Sequence, residues 1–295
     1  MPEATCYWIN GELLPEREAV VPVTDHGLLY GDGVFEGIRF YHRRPFRLAA
    51  HLQRLADSCK ALRLMLPYTP VQLSKAVDDM IAAFPEESGY LRLMVTRGPG
   101  PMGLDPAGCT QPNVILIATR LEMVHPELRD DGIRLIVAST RRLPADGLDP
   151  RIKSLNYLNA ILARMEARQA GVEEAVLLNS QGRVAEGSAE NIFVVRDGHL
   201  ATPRPVDGAL AGITRGIILE LATELGIPAR EVPLTAYDLY TADECFLCGT
   251  GAELIPVREV DGRLLRHCPG SVFSILHNAF RQQIAAECHH QEAES

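Results

Sequence analysis

Leu48, Leu52, Leu55, Cys59 and Leu62 recur at three- and four-residue intervals, the spacing of one helix face. Leu73, Val77, Met80 and Phe84 repeat that period after Pro70, which suits the first turn of a second helix. From Gly89 to Gly98 the period shortens to two. Leu91, Leu93 and Val95 then share one strand face, and Tyr90, Arg92, Met94 and Thr96 share the other. Asn113 to Thr119 is apolar enough for a central strand, and Asn10-Gly11, between Tyr7-Trp8-Ile9 and Glu12-Leu13-Leu14, predicts a tight hairpin.

A polar stretch from Glu122 to Asp131, containing Pro126, breaks the pattern and reads as a linker. Beyond it Ile133 to Ala138 predicts a strand, followed by a Pro- and Asp-bearing loop that leads to Lys153. Leu155, Leu158, Leu162 and Met165 give the next helix one apolar stripe, stopped near Gly171. Ala175 to Leu178 and Ile192 to Val195 read as strands, and Ile217, Leu221 and Leu225 mark a helix closed by Gly226. Thr235 and Asp238 have the spacing of a capping box for a short helix. Strands with interspersed helices on both sides of the linker predict two α+β domains: residues 1–121, a linker at 122–131, and residues 132–295.

The composition is that of an ordinary soluble enzyme, 46% apolar and 23% charged over 295 residues. A net charge of −9 argues against a nucleic-acid or anionic-membrane partner. No apolar run reaches the ~20 residues that span a bilayer, and the start, Met1-Pro2-Glu3-Ala4-Thr5-Cys6, lacks the features of a signal peptide. Seven scattered cysteines suit a reducing cytoplasm better than a disulfide framework. Cys245 and Cys248 fall on opposite faces of one predicted strand, which favours two buried thiols over a redox pair. No second Cys/His pair has metal-site spacing, and His289-His290 sit in a polar tail, so no metal is expected.

The candidate chemistry lies in the order of a few polar groups. Lys153 is flanked by Ile152 and Leu155, and partial burial would favour its neutral, nucleophilic amine. Alone it reads as a surface charge. Glu186, in Ala185-Glu186-Gly187-Ser188, and Glu190 are rival acids that spacing does not separate. Gly212-Ile213-Thr214 opens a helix whose free N–H groups would attract a phosphate, and Gly249-Thr250-Gly251 ends an apolar strand in a turn able to form an anion nest. Arg54 lines up with His51 and Ser58, opposite the leucine stripe; alone it reads as a surface arginine, and as a phosphate clamp it would supply two parallel donors. Tyr90 and Arg92 could form a pocket wall for a carboxylate. An amine, an acid and two phosphate-ready turns are the parts needed to hold pyridoxal 5′-phosphate.

Taken in order, these segments resemble the fold type IV pyridoxal-phosphate enzymes, specifically the branched-chain amino acid aminotransferases. The matching stretches run from Asp25-His26-Gly27-Leu28-Leu29-Tyr30-Gly31-Asp32-Gly33-Val34-Phe35-Glu36-Gly37-Ile38-Arg39 to Pro256-Val257-Arg258. Between them lie His51-Leu52-Gln53-Arg54-Leu55, Tyr90-Leu91-Arg92, Asn156-Tyr157, Glu186-Gly187-Ser188-Ala189-Glu190-Asn191, Gly212-Ile213-Thr214-Arg215 and Gly249-Thr250-Gly251-Ala252-Glu253.

The resemblance implies a two-domain α+β fold like that of D-amino acid aminotransferase, with a small α/β domain and a larger, β-barrel-like α/β domain. It implies Lys153 as the lysine joined to the cofactor, Glu186 at the pyridine nitrogen and Tyr157 near the phenolic oxygen. Arg54, the backbone of Ile213, Thr214 and Thr250 would hold the phosphate. Tyr30, Phe35, Arg39, Tyr90 and Arg92 would line the substrate pocket, and the Thr250-Gly251-Ala252 backbone would receive the α-carboxylate. The expected activity is ping-pong transamination from L-leucine, L-isoleucine or L-valine to 2-oxoglutarate, by a homodimer or larger homo-oligomer. The alternatives are a D-amino acid or (R)-amine transaminase, an aminodeoxychorismate lyase, and, from another class, a non-catalytic pyridoxal-phosphate-binding protein. Two departures bear on substrate range: no tyrosine lies near Arg120-Leu121-Glu122, and the carboxylate turn reads Thr250-Gly251.

Overall fold

The computed structural model describes residues 5–121, 126–144 and 146–288. They divide into two compact units. The first holds the described residues up to Leu121 together with Ile152–Asn156 and those from Ile284 on; the second holds the described residues of Glu122–Arg151 and Tyr157–Gln283.

In the first unit the Asn10-Gly11 turn joins β1 (Thr5–Ile9) to β2 (Glu12–Leu14), with both turn residues at positive φ, 51° and 108°. A short helix α1 (His26–Tyr30), capped by the Asp25 carboxylate, leads into β3 (Gly33–Tyr41) and β4 (Arg44–Pro45). The helices α2 (Leu48–Ala61) and α3 (Pro70–Ala83) follow, then β5 (Gly89–Thr96) and β6 (Asn113–Thr119). The strands form one antiparallel sheet in the order β2-β1-β6-β5-β3-β4. Leu91, Leu93 and Val95 are fully buried on the face that also carries Val34, Ile38 and Phe40, and Leu52, Leu55, Leu73, Val77 and Met80 of α2 and α3 pack against it. Each such side chain contributes roughly 1.5–3 kcal/mol through burial. Tyr90, Arg92 and Met94 stand on the opposite face, in register with Arg39, Gly37 and Phe35.

The second unit begins with α4 (Pro126–Asp131), a helix within the stretch read as a linker; residues 122–125 of that stretch lie outside the described residues. Then come β7 (Ile133–Val137), α5 (Leu158–Gln169), β8 (Glu174–Leu178), β9 (Val184–Gly187), β10 (Asn191–Arg196) and β11 (His199–Thr202). The remaining elements are α6 (Ile213–Glu224), β12 (Ala229–Glu231), α7 (Ala236–Tyr240), β13 (Glu244–Gly249), β14 (Glu253–Val260), β15 (Arg263–Leu264) and α8 (Ser271–Cys288), whose last turn belongs to the first unit. The sheet runs β12-β11-β10-β13-β14-β7-β8-β9, with β15 paired to β14. The Thr235–Asp238 capping box forms as predicted.

The stripe on α5 does not face the core: Leu158, Leu162 and Met165 are exposed at 71%, 49% and 61%, and the buried face is Ala160, Ala163 and Ala167. Ala163 and Ala167 pack with Ala138, Ala175 and Leu177, so small side chains let the helix lie close to β8. Cys245 and Cys248 are buried and unbridged, and burial pushes both thiols well up. Among the described residues no helix is long and apolar enough to cross a membrane, and no cluster of His, Cys, Asp or Glu could hold a metal ion.

Candidate active site

Lys153 lies on a segment that β3 recruits as an extra rung. The Phe35 N–H donates to the Lys153 carbonyl and the Leu155 N–H to the Gly33 carbonyl, both at 2.9 Å, while the Lys153 N–H reaches the Ser58 hydroxyl of α2 at 3.3 Å. The backbone is thereby tied to a strand and a helix, while the half-buried side chain reaches over the Phe35 ring, Nζ 4.6 Å from its centroid. The Arg92 guanidinium lies over the same ring at 3.8 Å. Gly37, opposite Arg92 in the ladder, leaves room for Tyr90, whose hydroxyl would lie 2.1 Å from any Cβ built there. Arg39 donates to the Leu121 carbonyl at 3.3 Å, and the Tyr30 hydroxyl accepts from the Gly103 N–H at 3.0 Å. The first unit therefore places Tyr30 on α1 and Phe35, Arg39, Tyr90, Arg92 and Lys153 on or beside β3 and β5.

Arg54 is fixed from the core side of β3. Glu36, fully buried, takes Arg54 Nε at 2.6 Å and Nη2 at 2.8 Å, a two-pronged grip, and His51 Nδ1 lies 2.8 Å from the same carboxylate. Burial alone would raise the Glu36 carboxyl, but the hydrogen bonds and charges of Arg54 and His51 outweigh it and bring it down to about 2. Burial, the largest influence on His51, depresses the imidazole.

In the second unit Glu186 is a buried residue of β9. One oxygen pairs with Arg142 Nη2 at 2.6 Å; the other accepts from Asn191 Nδ2 at 3.1 Å and from the Leu210 N–H at 2.9 Å. The Asn191 amide also donates to the Leu210 carbonyl at 2.9 Å, and its Oδ1 would lie 1.9 Å from a Cβ at Gly212. Gly212 is the N-cap of α6 and no side chain caps it, so the first-turn amides of Ile213 and Thr214 open the helix in the way that attracts an anion. Thr250 follows the end of β13, whose Cys248 pairs with Asn191. Gly251 and buried Ala252 complete that turn, and the Ala252 carbonyl accepts from Arg129 at 3.3 Å.

The rival acid has a different state. Glu190 is buried, hydrogen-bonded to Glu174, and lines a cavity of about 730 Å³ that Tyr157 borders at the N-cap of α5. Burial, then the Glu174 charge, push its carboxyl up to about 8, so near neutral pH it is held as the neutral acid. A folded-state pKa above the unfolded value means stability that is full below ~4.5 and lost as pH rises through the folded pKa. Glu190→Gln, a neutral mimic, is therefore expected to stabilise the protein at pH 8 by roughly 1–3 kcal/mol and to change little at pH 5. Urea melts at both pH values check it; equal effects at the two would contradict this state for Glu190.

Several functional candidates escaped the sequence: Glu36, Arg142 and Asn191 position Arg54 and Glu186, yet their partners lie 18, 44 and 5 residues away and share no periodic pattern with them. The donor set fits pyridoxal phosphate. Taken separately, the first unit carries an amine at Lys153 and a guanidinium at Arg54, and the second carries a buried carboxylate at Glu186 and an uncapped helix N-terminus, all groups of the kinds that this cofactor requires.

Comparison with known proteins agrees with this chemistry. The family described as amino-transferase class IV matches residues 33–260. The branched-chain-amino-acid aminotransferase of Salmonella typhimurium is 41% identical over 266 residues, 88% of this chain and 86% of that one. The crystal structure of the Escherichia coli branched-chain amino acid aminotransferase superposes with a TM-score of 0.93 at 37% identity, covering 99% of this chain and 98% of that chain. The T.th. branched-chain amino acid aminotransferase complexed with N-(5′-phosphopyridoxyl)-L-glutamate gives 0.90 at 36% identity, covering 97% and 95%. The two-domain α+β fold is that of these enzymes.

Proposed function

Because the chain belongs to the class IV aminotransferase family, we propose that it moves the amino group of L-branched-chain amino acids to 2-oxoglutarate in a ping-pong cycle. It is a transaminase and its cofactor is pyridoxal 5′-phosphate. When bound, the cofactor supplies an electron sink for the charge left on a substrate Cα that has lost its proton.

Lys153 would hold the cofactor through its amine and would serve as the base that takes the proton from the substrate Cα. Glu186, ion-paired with Arg142, would keep a proton on the pyridine nitrogen. Tyr157 would stand near the phenolic oxygen. The Ile213 N–H, Thr214, Thr250 and Arg54 hold the phosphate, and the Gly251 and Ala252 amides receive the substrate α-carboxylate. Tyr30, Phe35, Arg39, Tyr90 and Arg92 shape the side-chain pocket; an arginine there satisfies the distal carboxylate of glutamate, which an aliphatic substrate lacks. The working molecule is a cytoplasmic homodimer or larger homo-oligomer; its small domain is built on residues 1–121, to which Ile152–Asn156 and the residues from Ile284 on are added, and its large domain on the rest of the chain beyond the 122–131 stretch.

One observation carries the reading. Asn191 bonds at once to Glu186 and to the Leu210 carbonyl, two residues before Gly212, the N-cap of α6. This supports reading Glu186 as the acid for the ring nitrogen and the start of α6 as the phosphate cradle, because a single side chain ties the two. The test is a half-reaction screen that follows loss of the yellow colour of the holoprotein. L-Leucine and L-glutamate are expected to bleach it, and D-alanine and (R)-phenylethylamine to leave it unchanged. Bleaching by the D- or R-compounds alone would overturn the L-branched-chain assignment, and turnover without an oxo-acid acceptor would indicate a lyase.

A further inference from the structure

The geometry points to the Phe35 ring as the resting surface of the Arg92 guanidinium, and so as the group that sets the balance between apolar and acidic substrates. This rests on the reading of Arg92 as the partner of a distal carboxylate.

Arg92 stands opposite Gly37 in the β3–β5 ladder, and Phe35 opposite Met94, so ring and guanidinium are diagonal neighbours on one sheet face. The guanidinium carbon lies 3.8 Å from the ring centroid, close enough for direct stacking on the π-face. The ring itself is held firmly: Phe35 is 4% exposed and its N–H is bonded to the Lys153 carbonyl. An aliphatic substrate side chain offers the guanidinium nothing, so a place where the charge is partly compensated keeps the pocket open to leucine. A dicarboxylate offers two charge-assisted hydrogen bonds, stronger than the ring, and draws the arginine off it. One residue can then serve two substrates of opposite polarity because its alternative partner is built into the adjoining strand. Lys153 Nζ lies over the same ring at 4.6 Å, so loss of the ring also acts on the lysine. That effect falls on both substrates alike and appears in kcat, whereas the arginine's effect appears in their ratio.

The experiment compares Phe35→Leu, Phe35→Tyr and Arg92→Ala holoenzymes. It measures kcat/KM for L-leucine and L-glutamate, and dissociation constants for the unreactive analogues 4-methylpentanoate and glutarate. Phe35→Leu is expected to lower the leucine-to-glutamate ratio about fivefold and to weaken 4-methylpentanoate more than glutarate, by the size of one stacking contact. Phe35→Tyr, which keeps the π-face, is expected to hold both ratios within about twofold. If Arg92→Ala leaves glutarate binding unchanged, the carboxylate reading of Arg92 falls, and this inference with it. If Arg92→Ala weakens glutarate selectively but Phe35→Leu moves the two analogues equally, or Phe35→Tyr behaves like the leucine variant, Arg92 keeps its role and the ring loses the one assigned to it.

Discussion

Lys153→Ala is expected to abolish multiple turnover, with a loss of at least ~10³-fold, because general acid–base transfer alone is worth roughly 10²–10⁴-fold and covalent attachment goes with it. The sequence offers no substitute. It contains three lysines, of which Lys60 is exposed and Lys75 is 74% exposed and paired with Asp79 on α3. The Lys153 backbone bonds to β3 and α2 do not involve its side chain, so the variant should fold. The measurement is steady-state rate alongside circular dichroism. Turnover within tenfold of wild type, with the fold intact, would remove this residue from the mechanism.

The second large effect lies at Glu36. Glu36→Ala removes the counter-charge of Arg54 and one partner of His51 in a place fully shielded from water. Breaking one side of a buried pair costs about 3–5 kcal/mol, so the melting temperature should fall by roughly 10 °C. The acid response is equally specific. A carboxyl held near 2 when folded and near ~4.5 when unfolded gives stability that is complete above ~4.5 and lost as pH falls from there toward 2. Wild type should therefore lose stability across that window more steeply than the variant. Parallel curves for the two would show that Glu36 is not ionised in the folded protein.

Most of the fold could be read locally, where one face of an element is dry. The alternation of Leu91, Leu93 and Val95 reports a strand with a helix-covered face, and a one-residue slip would expose all three. Asn10-Gly11 and Thr235–Asp238 carry their own turn and cap chemistry. On α5 the same logic misled, because the closest packing against β8 selects alanine and leaves the leucines outward. β3 gave no alternating signal because both of its faces are covered, so Phe35 and Glu36 look alike in hydropathy neighbourhood while one faces Arg92 and the other the core. The candidate site was legible as an ordered set of motifs, Lys153 then Glu186, Thr214 and Thr250. Its supporting residues were not: Arg142 and Glu186 are 44 positions apart, and only folding brings them to 2.6 Å.

The central claim is that one amine, on the segment bonded to β3, carries the cofactor. Borohydride reduction of the pyridoxal-phosphate-loaded protein, followed by digestion and mass spectrometry, tests it directly. With only Lys60, Lys75 and Lys153 available, the pyridoxyl mass should appear on the peptide containing Lys153 and on neither of the others. A label on Lys60 or Lys75, or none on Lys153 in fully loaded protein, would contradict it.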